Sequence, residues 1–493
     1  MLFRWLHDLL AEVSGRVRSG SLQRQVWGIT ADSRQLAPGM LFVAVRGDTT
    51  DGHRFVEEAL AKGAAAVVVE QTTAALLQQA QARDVAVIEV PNSRQALGLL
   101  ASAFYRHPSR QLALVGVTGT NGKTTTCYVI EAILRAAGRS VGVLGTINYR
   151  FGSHCMAAPH TTPEAPTLQH LLAQMVAAGV RYAAMEVSSH ALVQERVRGC
   201  HFAACVFTNL SRDHYDYHGS EAAYFEAKAR LFREYPACWH ILNLDDPRGR
   251  QLAQATSTRL LTYGLHHAAT LTPETLHHDL HGIRGVVPTP IGRLAIRSSL
   301  VGRHNVYNLL AGIAVAVALE VEAAAIVEGI AQLRQVPGRL ERVEAGQPFA
   351  VFVDYAHTPA ALEQVLRSLR ADTAGRLITV FGCGGDRDPG KRPLMGRVAT
   401  QLSDYTIVTS DNPRSEDPLQ IIAAIVAGIA KDRAYVTIPD RREAIAHALA
   451  VARPGDAVLI AGKGHEDYQI VGQQRLPFDD REVVRSLLTA RGG

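Results

Sequence analysis

A few separated segments carry residue types that could together handle phosphate. The sharpest is GVTGTNGKTTT (116–126). It follows the apolar run LALVGVTG (112–119) and opens a helical pattern over 124–137, the context a phosphate-binding loop requires. Its spacing departs from the usual G-x4-GK[ST], because position 117 is valine and the glycines fall at 116, 119 and 122. The mechanics survive. Gly119 and Gly122 allow backbone N–H groups to turn inward around phosphate oxygens. Lys123 offers a point charge to the outer phosphates, and Thr124 a hydroxyl to Mg2+. The start of the helix adds a partial positive charge. Such a loop serves motors, switches and ligases alike, so the rest of the chain must decide among them.

Four further clusters could complete a site. EVSSHALVQER (186–196) and TNLSRDHYDYHGS (208–220) each follow an apolar run that reads as a strand. In doubly wound sheets ligands bind beyond the carboxyl ends of the strands. Glu186 is therefore placed either to hold Mg2+, directly or through water, or to cap a helix. His214 could ligate a metal or orient a ligand. In YFEAKARLF (224–232), Lys228 lies mid-helix beside Phe225, Leu231 and Phe232. On residue grounds alone it reads as a solvated lysine whose stem covers apolar surface. DNPR (411–414) reads either as an Asn-Pro turn with a solvated arginine or as a fixed guanidinium able to bind carboxylate bidentately.

The elements that must position these residues fall into three α/β units. Residues 1–106 alternate short β-rich runs (41–45, 64–70, 85–90) with helical patterns, giving a small N-terminal α/β domain. HPSRQ (107–111) reads as a linker. Over 107–335, strands at 112–119, 140–146, 182–187, 204–210 and 240–245 alternate with helices, predicting a doubly wound, mostly parallel sheet that carries the phosphate loop. The pattern restarts over 336–493, with apolar strands at 349–357, 376–385, 405–414, 434–440 and 456–466 ending in polar or glycine-rich turns, a Rossmann-like domain.

Composition removes other classes. The chain has 493 residues, 47% apolar and 20% charged, with a formal net charge of +5 spread along its length. That excludes the basic block of a nucleic-acid binder. Six cysteines form no CxxC pair, as expected of reduced thiols. The N-terminus MLFRWLHDLLAEV reads as an amphipathic helix rather than a signal peptide. The apolar stretch 309–331 contains Glu320, Glu322 and Glu328, which suits a core helix or helix pair and not a membrane span. The expected location is the cytoplasm.

GVTGTNGKTTT, EVSSHAL, NLSRDHYDYHG, the EAK of 226–228, GRHNVYN (302–308), PGRLE (337–341), DYAHTP (354–359) and DNPR resemble, in order and spacing over nearly the whole chain, the Mur ligase family. The resemblance implies an ATP-dependent ligase of cell-wall synthesis, acting as a monomer on small molecules: ATP, a UDP-muramoyl dipeptide and diaminopimelate, with Mg2+. It reverses the reading of Lys228, because the matching lysine of the family is carbamylated by CO2 and so becomes an anionic metal ligand. By the same resemblance Lys123, His214 and Lys228 are catalytic, and Thr124, Glu186, His214 and Lys228 hold metal. Gly119, Thr120, Asn121, Gly122, Lys123, Thr124, Thr125, Asn305, Arg339, Asp354 and His357 contact ATP. Ser33, Thr161, Thr162, Ser188, Gln194 and Arg196 contact the UDP substrate. Arg387, Asp411, Asn412, Pro413, Arg414, Gly462 and Glu466 line the pocket for the incoming amino acid. His160 stands where asparagine is common. The alternatives are a relative adding lysine or a D-alanyl dipeptide, a folate polyglutamate ligase, which the N-terminal unit does not suit, and a GTPase switch, which would need an NKxD motif that is not found.

Overall fold

The computed structural model describes residues 3–47 and 50–492. Its first sheet takes β1 (Arg16–Ser19), β2 (Ile29–Thr30), β3 (Leu41–Val43), β4 (Ala66–Val69) and β5 (Ala86–Glu89) in the order β1-β5-β4-β3-β2, with only β1 antiparallel. Valine-rich strands such as β4, buried along its whole length, suit a sheet covered on both faces. Helix α1 (Ser93–Phe104) leads out of this layer, capped by the Asn92 side chain.

The central sheet holds β6 (Ala113–Thr118), β7 (Val141–Leu144), β8 (Asn148–Phe151), β9 (His154–Ala157), β10 (Tyr182–Glu186), β11 (Phe202–Phe207), β12 (Ala237–Asn243) and β13 (Arg259–Tyr263). The order is β9-β8-β7-β10-β6-β11-β12-β13, parallel except for the β8 and β9 edge. β6 therefore lies between β10 and β11, which brings the three loops at their carboxyl ends side by side. α2 (Lys123–Ala136), α6 (Arg303–Ala318) and α7 (Ala323–Gln332) pack on one face. α3 (Ala165–Ala177) and α5 (Glu221–Arg233) pack on the other, with the short α4 (Ser189–Val193) beside them. The apolar stretch 309–331 is thus a core helix pair broken after Ala318.

The third sheet runs β17-β18-β22-β19-β20-β21, from β17 (Glu341–Arg342), β18 (Ala350–Asp354), β19 (Leu377–Phe381), β20 (Tyr405–Val408), β21 (Tyr435–Thr437) and β22 (Ala457–Ala461). It is parallel apart from β17. α8 (Pro359–Asp372) and α9 (Lys391–Leu402) cover one face, and α10 (Arg441–Val451) and α11 (Asp480–Gly492) the other.

Beyond the added strands β8, β9 and β13, two regions differ most from the sequence reading. An antiparallel sheet of β14 (Thr275–Asp279), β15 (Gly282–Thr289) and β16 (Gly292–Ser298) intervenes before α6. Its strands are partly exposed, so its apolar signal was weak. In place of the expected N-terminal helix, the described residues form a strand at Arg4–Trp5, one helical turn at Leu6–Leu9 and a 3-10 turn at Leu10–Glu12. Pairing of Arg4 and Trp5 with Gln25 and Val26 consumes the backbone bonds a helix would need.

Candidate active site

The loop between β6 and α2 is held open by side chains from neighbouring loops. Gly119 and Gly122 adopt φ of 146° and 87°. A Cβ on Gly119 would stand 1.9 Å from the Thr208 hydroxyl, so only glycine fits. Thr208 donates its hydroxyl to the Asn121 carbonyl at 2.6 Å, and the Asn209 side chain accepts from the Asn121 N–H at 3.0 Å. Behind the loop, Asn308 donates to Asn305 at 2.8 Å, and Asn305 to the Val301 carbonyl at 2.7 Å. Thr125 is buried in the first turn of α2.

Two lysines converge on this loop. Lys123 donates to the carbonyls of Gly119 (3.0 Å) and Thr120 (2.8 Å). Lys228, from α5, donates to the same Gly119 carbonyl at 2.8 Å and lies 4.4 Å from the centre of the Tyr224 ring. Lys228 is 1% exposed, which corrects its reading as a solvated lysine. The flanking Tyr224, Phe225, Leu231 and Phe232 are buried with it, so the helix has its apolar face around the amine. Burial, then the adjacent Lys123, hold the Lys228 amine well below the ordinary lysine range. Burial also lowers Lys123, while Glu186 pulls the other way.

Glu186 ends β10 almost fully buried. Its carboxylate accepts the Thr146 N–H at 2.9 Å and the Thr146 hydroxyl at 3.0 Å. Thr161 bonds the same Thr146 hydroxyl at 3.1 Å. Thr162 donates to the Glu186 carbonyl at 2.8 Å and accepts the Ser188 N–H at 3.1 Å. Arg196 donates to the Thr162 carbonyl at 2.9 Å and to Gln194 at 2.7 Å, and pairs with Glu164 at 2.8 Å. Thr161, Thr162, Ser188, Gln194 and Arg196 thus form one connected wall beside Glu186. His160 contributes its carbonyl, bonded by the Tyr149 hydroxyl. Ser33 belongs to a separate group in the first layer, donating to Glu58 at 3.1 Å and accepting through its carbonyl from Lys62 at 2.7 Å.

His214 has a left-handed backbone (φ 53°) and lies 3.4 Å from Asp213. Its ring centre is 4.8 Å from that of His190, which in turn stacks near Tyr217 and His218. Burial depresses His190 and His218 to about 4, so this imidazole cluster is neutral near neutral pH. Among the described residues, no three His, Cys, Asp or Glu side chains form a metal cage. Mg2+ takes one or two carboxylates and completes its shell from water and nucleotide phosphate. The Thr124 hydroxyl and the buried Glu186 fit such an ion, flanking Lys123 at the head of α2.

The third layer reaches the loop through Arg339. Its guanidinium donates to the Thr124 hydroxyl at 3.3 Å and sits 4.8 Å over the Tyr355 ring. Asp354, at the end of β18, accepts from the N–H groups of Leu340 (2.7 Å) and Ala356 (2.8 Å), and burial raises its pKa. It thereby fixes the turn that carries Arg339. His357 bonds the Tyr355 carbonyl at 2.8 Å.

At the far ends of β20 and β22 lies a second polar group. Asn412 donates to Glu466 at 2.8 Å. The backbone of Arg414 is left-handed, and its guanidinium donates to the Gly385 carbonyl at 2.7 Å. Pro413 leads into it, while Asp411 accepts the Asn412 N–H at 2.7 Å. A Cβ on Gly462 would meet Asp411 at 2.5 Å. Arg387 is exposed and donates to the Asp386 carbonyl at 3.1 Å. A hairpin of β23 (Tyr468–Val471) and β24 (Gln474–Pro477) seals this group: the Arg414 N–H donates to the Ile470 carbonyl at 3.0 Å.

Sequence reasoning missed Thr146, Thr208, Asn308, Lys463 and the hairpin. Asn308 was findable, standing three residues after Asn305 on one helix face. Thr208 opens the segment 208–220 already singled out, but its own role, like that of Thr146, depends on loops brought together by strand order.

A phosphate loop with a buried carboxylate on the adjacent strand, approached by an arginine from another α/β layer, defines an enzyme that handles nucleotide phosphates between domains. The chain belongs to the Mur ligase family. Residues 25–105 match the model described as Mur ligase family, catalytic domain, 117–316 the Mur ligase middle domain, and 338–464 the Mur ligase, glutamate ligase domain. It is 46% identical to the UDP-N-acetylmuramoyl-L-alanyl-D-glutamate–2,6-diaminopimelate ligase of Geobacter metallireducens, covering 97% of each chain. It is 46% identical to the protein of the same name from Geobacillus thermodenitrificans, covering 99% of each. A solved structure of a ligase of that name superposes with a TM-score of 0.73 at 35% identity, covering 100% of both chains. No helix among the described residues is long and apolar enough to cross a membrane.

Proposed function

We propose that the chain is an ATP-dependent ligase that adds meso-2,6-diaminopimelate to UDP-N-acetylmuramoyl-L-alanyl-D-glutamate during peptidoglycan synthesis. The observation that carries this is the Arg339–Thr124 bond. It puts the phosphate loop against the third layer, next to the loops that hold Glu186 and its wall of Thr161, Thr162, Ser188 and Arg196. Phosphate donor, acceptor carboxylate and amine would then meet between the layers.

In this reading an oxygen of the D-glutamyl carboxylate attacks the γ-phosphorus of ATP, and the bond to the β-γ bridging oxygen breaks, giving ADP and an acyl phosphate. The diaminopimelate amine then attacks the acyl carbon, phosphate leaves with one former carboxylate oxygen, and the amine gives up a proton. Lys123 and the backbone N–H groups of 119–125 offset charge on the transferring phosphoryl group. Arg339, brought onto the loop by its own layer, adds a second cation. Arg196 and Thr162 orient the peptide. Ser33 would contact the uridine end, and Asn305, Asp354 and His357 the nucleotide.

Thr124, Glu186 and His214 would hold Mg2+, which neutralises phosphate charge when bound. Lys228 would join them as a carbamate. A neutral amine is the form that adds to CO2, and the burial that lowers the Lys228 pKa favours that form. The amino acid would sit against Arg387, the 411–414 turn, Gly462 and Glu466, with Arg414 facing the distal carboxylate that distinguishes diaminopimelate from lysine. A monomer in the cytoplasm suits these substrates.

Labelling the D-glutamyl carboxylate with 18O tests the route. One labelled oxygen per turnover should appear in inorganic phosphate. Phosphate free of label would overturn the acyl-phosphate path.

A further inference from the structure

The amino-acid pocket contains a buried cation that the reaction just described does not use. Lys463 has a side-chain exposure of 0% and sits at the end of β22. Its ammonium is the junction of three segments. It lies 3.1 Å from a Glu466 oxygen and 3.3 Å from the Asn412 side-chain oxygen, and it donates to the Tyr468 carbonyl at the start of the β23–β24 hairpin. An ammonium has three N–H donors, and each has an acceptor here.

Each acceptor governs a different part of the pocket. The Asn412 side-chain oxygen accepts from Lys463 and from the Ile470 N–H (2.9 Å), while its side-chain nitrogen donates to the same Glu466 oxygen at 2.8 Å. Glu466 thus has one oxygen tied by Asn412 and Lys463, leaving the other for a ligand cation. Tyr468 begins the hairpin, whose Ile470 carbonyl accepts the Arg414 N–H and whose Gly472 N–H donates to the Arg414 carbonyl at 2.7 Å. Lys463 consequently touches the neighbours of both charged ends of the pocket, the Glu466 carboxylate and the Arg414 turn, while being sealed from solvent itself.

We infer that Lys463 is a positioning residue for amino-acid selection: it clasps Glu466, the 411–414 turn and the β23–β24 hairpin into the one arrangement that fits a diamino diacid. The inference rests on the reading of this pocket as the amino-acid site. Lys463 needs no contact with substrate. Its charge offsets that of Glu466 in a desolvated place, where an unpaired carboxylate would turn away toward water or take up a proton.

The test is a separation of steady-state constants in the full-length enzyme. Lys463→Met keeps the length of the side chain and removes the charge. It should raise KM for diaminopimelate tenfold or more while kcat changes less than threefold and KM for ATP and for the UDP-muramoyl dipeptide stays within twofold. Should the methionine variant fail to fold, Lys463→Gln, which keeps an N–H donor, should show the same split at smaller amplitude. An unchanged KM for diaminopimelate, or equal losses for all three substrates, would overturn the inference. Arg414→Ala, measured alongside, separates the two claims. If it raises KM for diaminopimelate and Lys463→Met does not, the clasp alone is wrong. If neither moves that KM in an active enzyme, the pocket itself is misassigned.

Discussion

The two lysines at the phosphate loop, Lys228 buried and Lys123 half-buried, and the buried lysine of the amino-acid pocket stand in opposite electrostatic settings. Lys123 and Lys228 share one backbone carbonyl, and among the described residues neither has a carboxylate within ion-pair distance. Lys463 is matched by Glu466, a side-chain amide oxygen and a carbonyl. Uncompensated ammoniums in a desolvated place are costly and favour a polyanion or loss of the proton. A compensated one spends its charge inside the protein and gives geometry instead. The first arrangement suits charge stabilisation of a transferring phosphoryl group, the second suits discrimination between similar amino acids.

The largest effect expected from this contrast is at Lys123. Lys123→Ala should lower kcat by roughly a hundredfold or more, several kcal/mol of transition-state stabilisation. Near wild-type product formation at saturating ATP would remove the phosphate-loop assignment. Lys228→Ala should also lose most activity while keeping the fold. If the amine works as a carbamate, bicarbonate should restore wild-type enzyme depleted of CO2, and short carboxylic acids should partly rescue the alanine variant. Indifference to both would favour an unmodified lysine.

Arg414 comes next. Replacing it with alanine should weaken diaminopimelate by about 2–5 kcal/mol, at roughly 1.4 kcal/mol per tenfold, with little effect on lysine. Equal losses for both amino acids would mean that Arg414 does not read the distal carboxylate.

The smallest effects are on stability, and they should have opposite signs. Lys228 binds its proton less readily in the folded chain than the ordinary lysine value of 10.5 implies, so the unfolded chain holds more protons between the folded pKa and 10.5. Stability therefore rises with pH across that window. In ligand-free, CO2-depleted protein, Lys228→Met should raise the thermal midpoint at neutral pH, with the gain shrinking as the pH climbs toward 10.5. Lys463→Met should lower the midpoint and cost about 2–3 kcal/mol of unfolding free energy, because Glu466 loses its partner. Shifts of the same sign for both would dissolve the contrast.

Much of this was legible in the sequence because chemistry and periodicity coincide locally. GVTGTNGKTTT lies on a strand–turn–helix, and Val115, Val117, Ile130 and Ile133 mark which faces of it are buried. The three-sheet organisation followed from repeated apolar runs ending in polar turns. Lys228 was illegible on its own: a lysine in YFEAKARLF reads as solvated, and only the packing of α5 under the loop buries it. Lys463 was passed over within AGKGHE because its partners, Asn412 and Tyr468, reach it from another loop and a hairpin. The β14–β16 sheet escaped notice since its strands mix histidine, arginine and proline with few apolar residues.

The most direct test of the central claim is the wild-type kcat/KM for diaminopimelate and for lysine, measured with ATP and the UDP-muramoyl dipeptide. Diaminopimelate should be preferred by about a hundredfold or more, since lysine leaves Arg414 without its carboxylate. Comparable values for the two amino acids, or a preference for lysine, would contradict it.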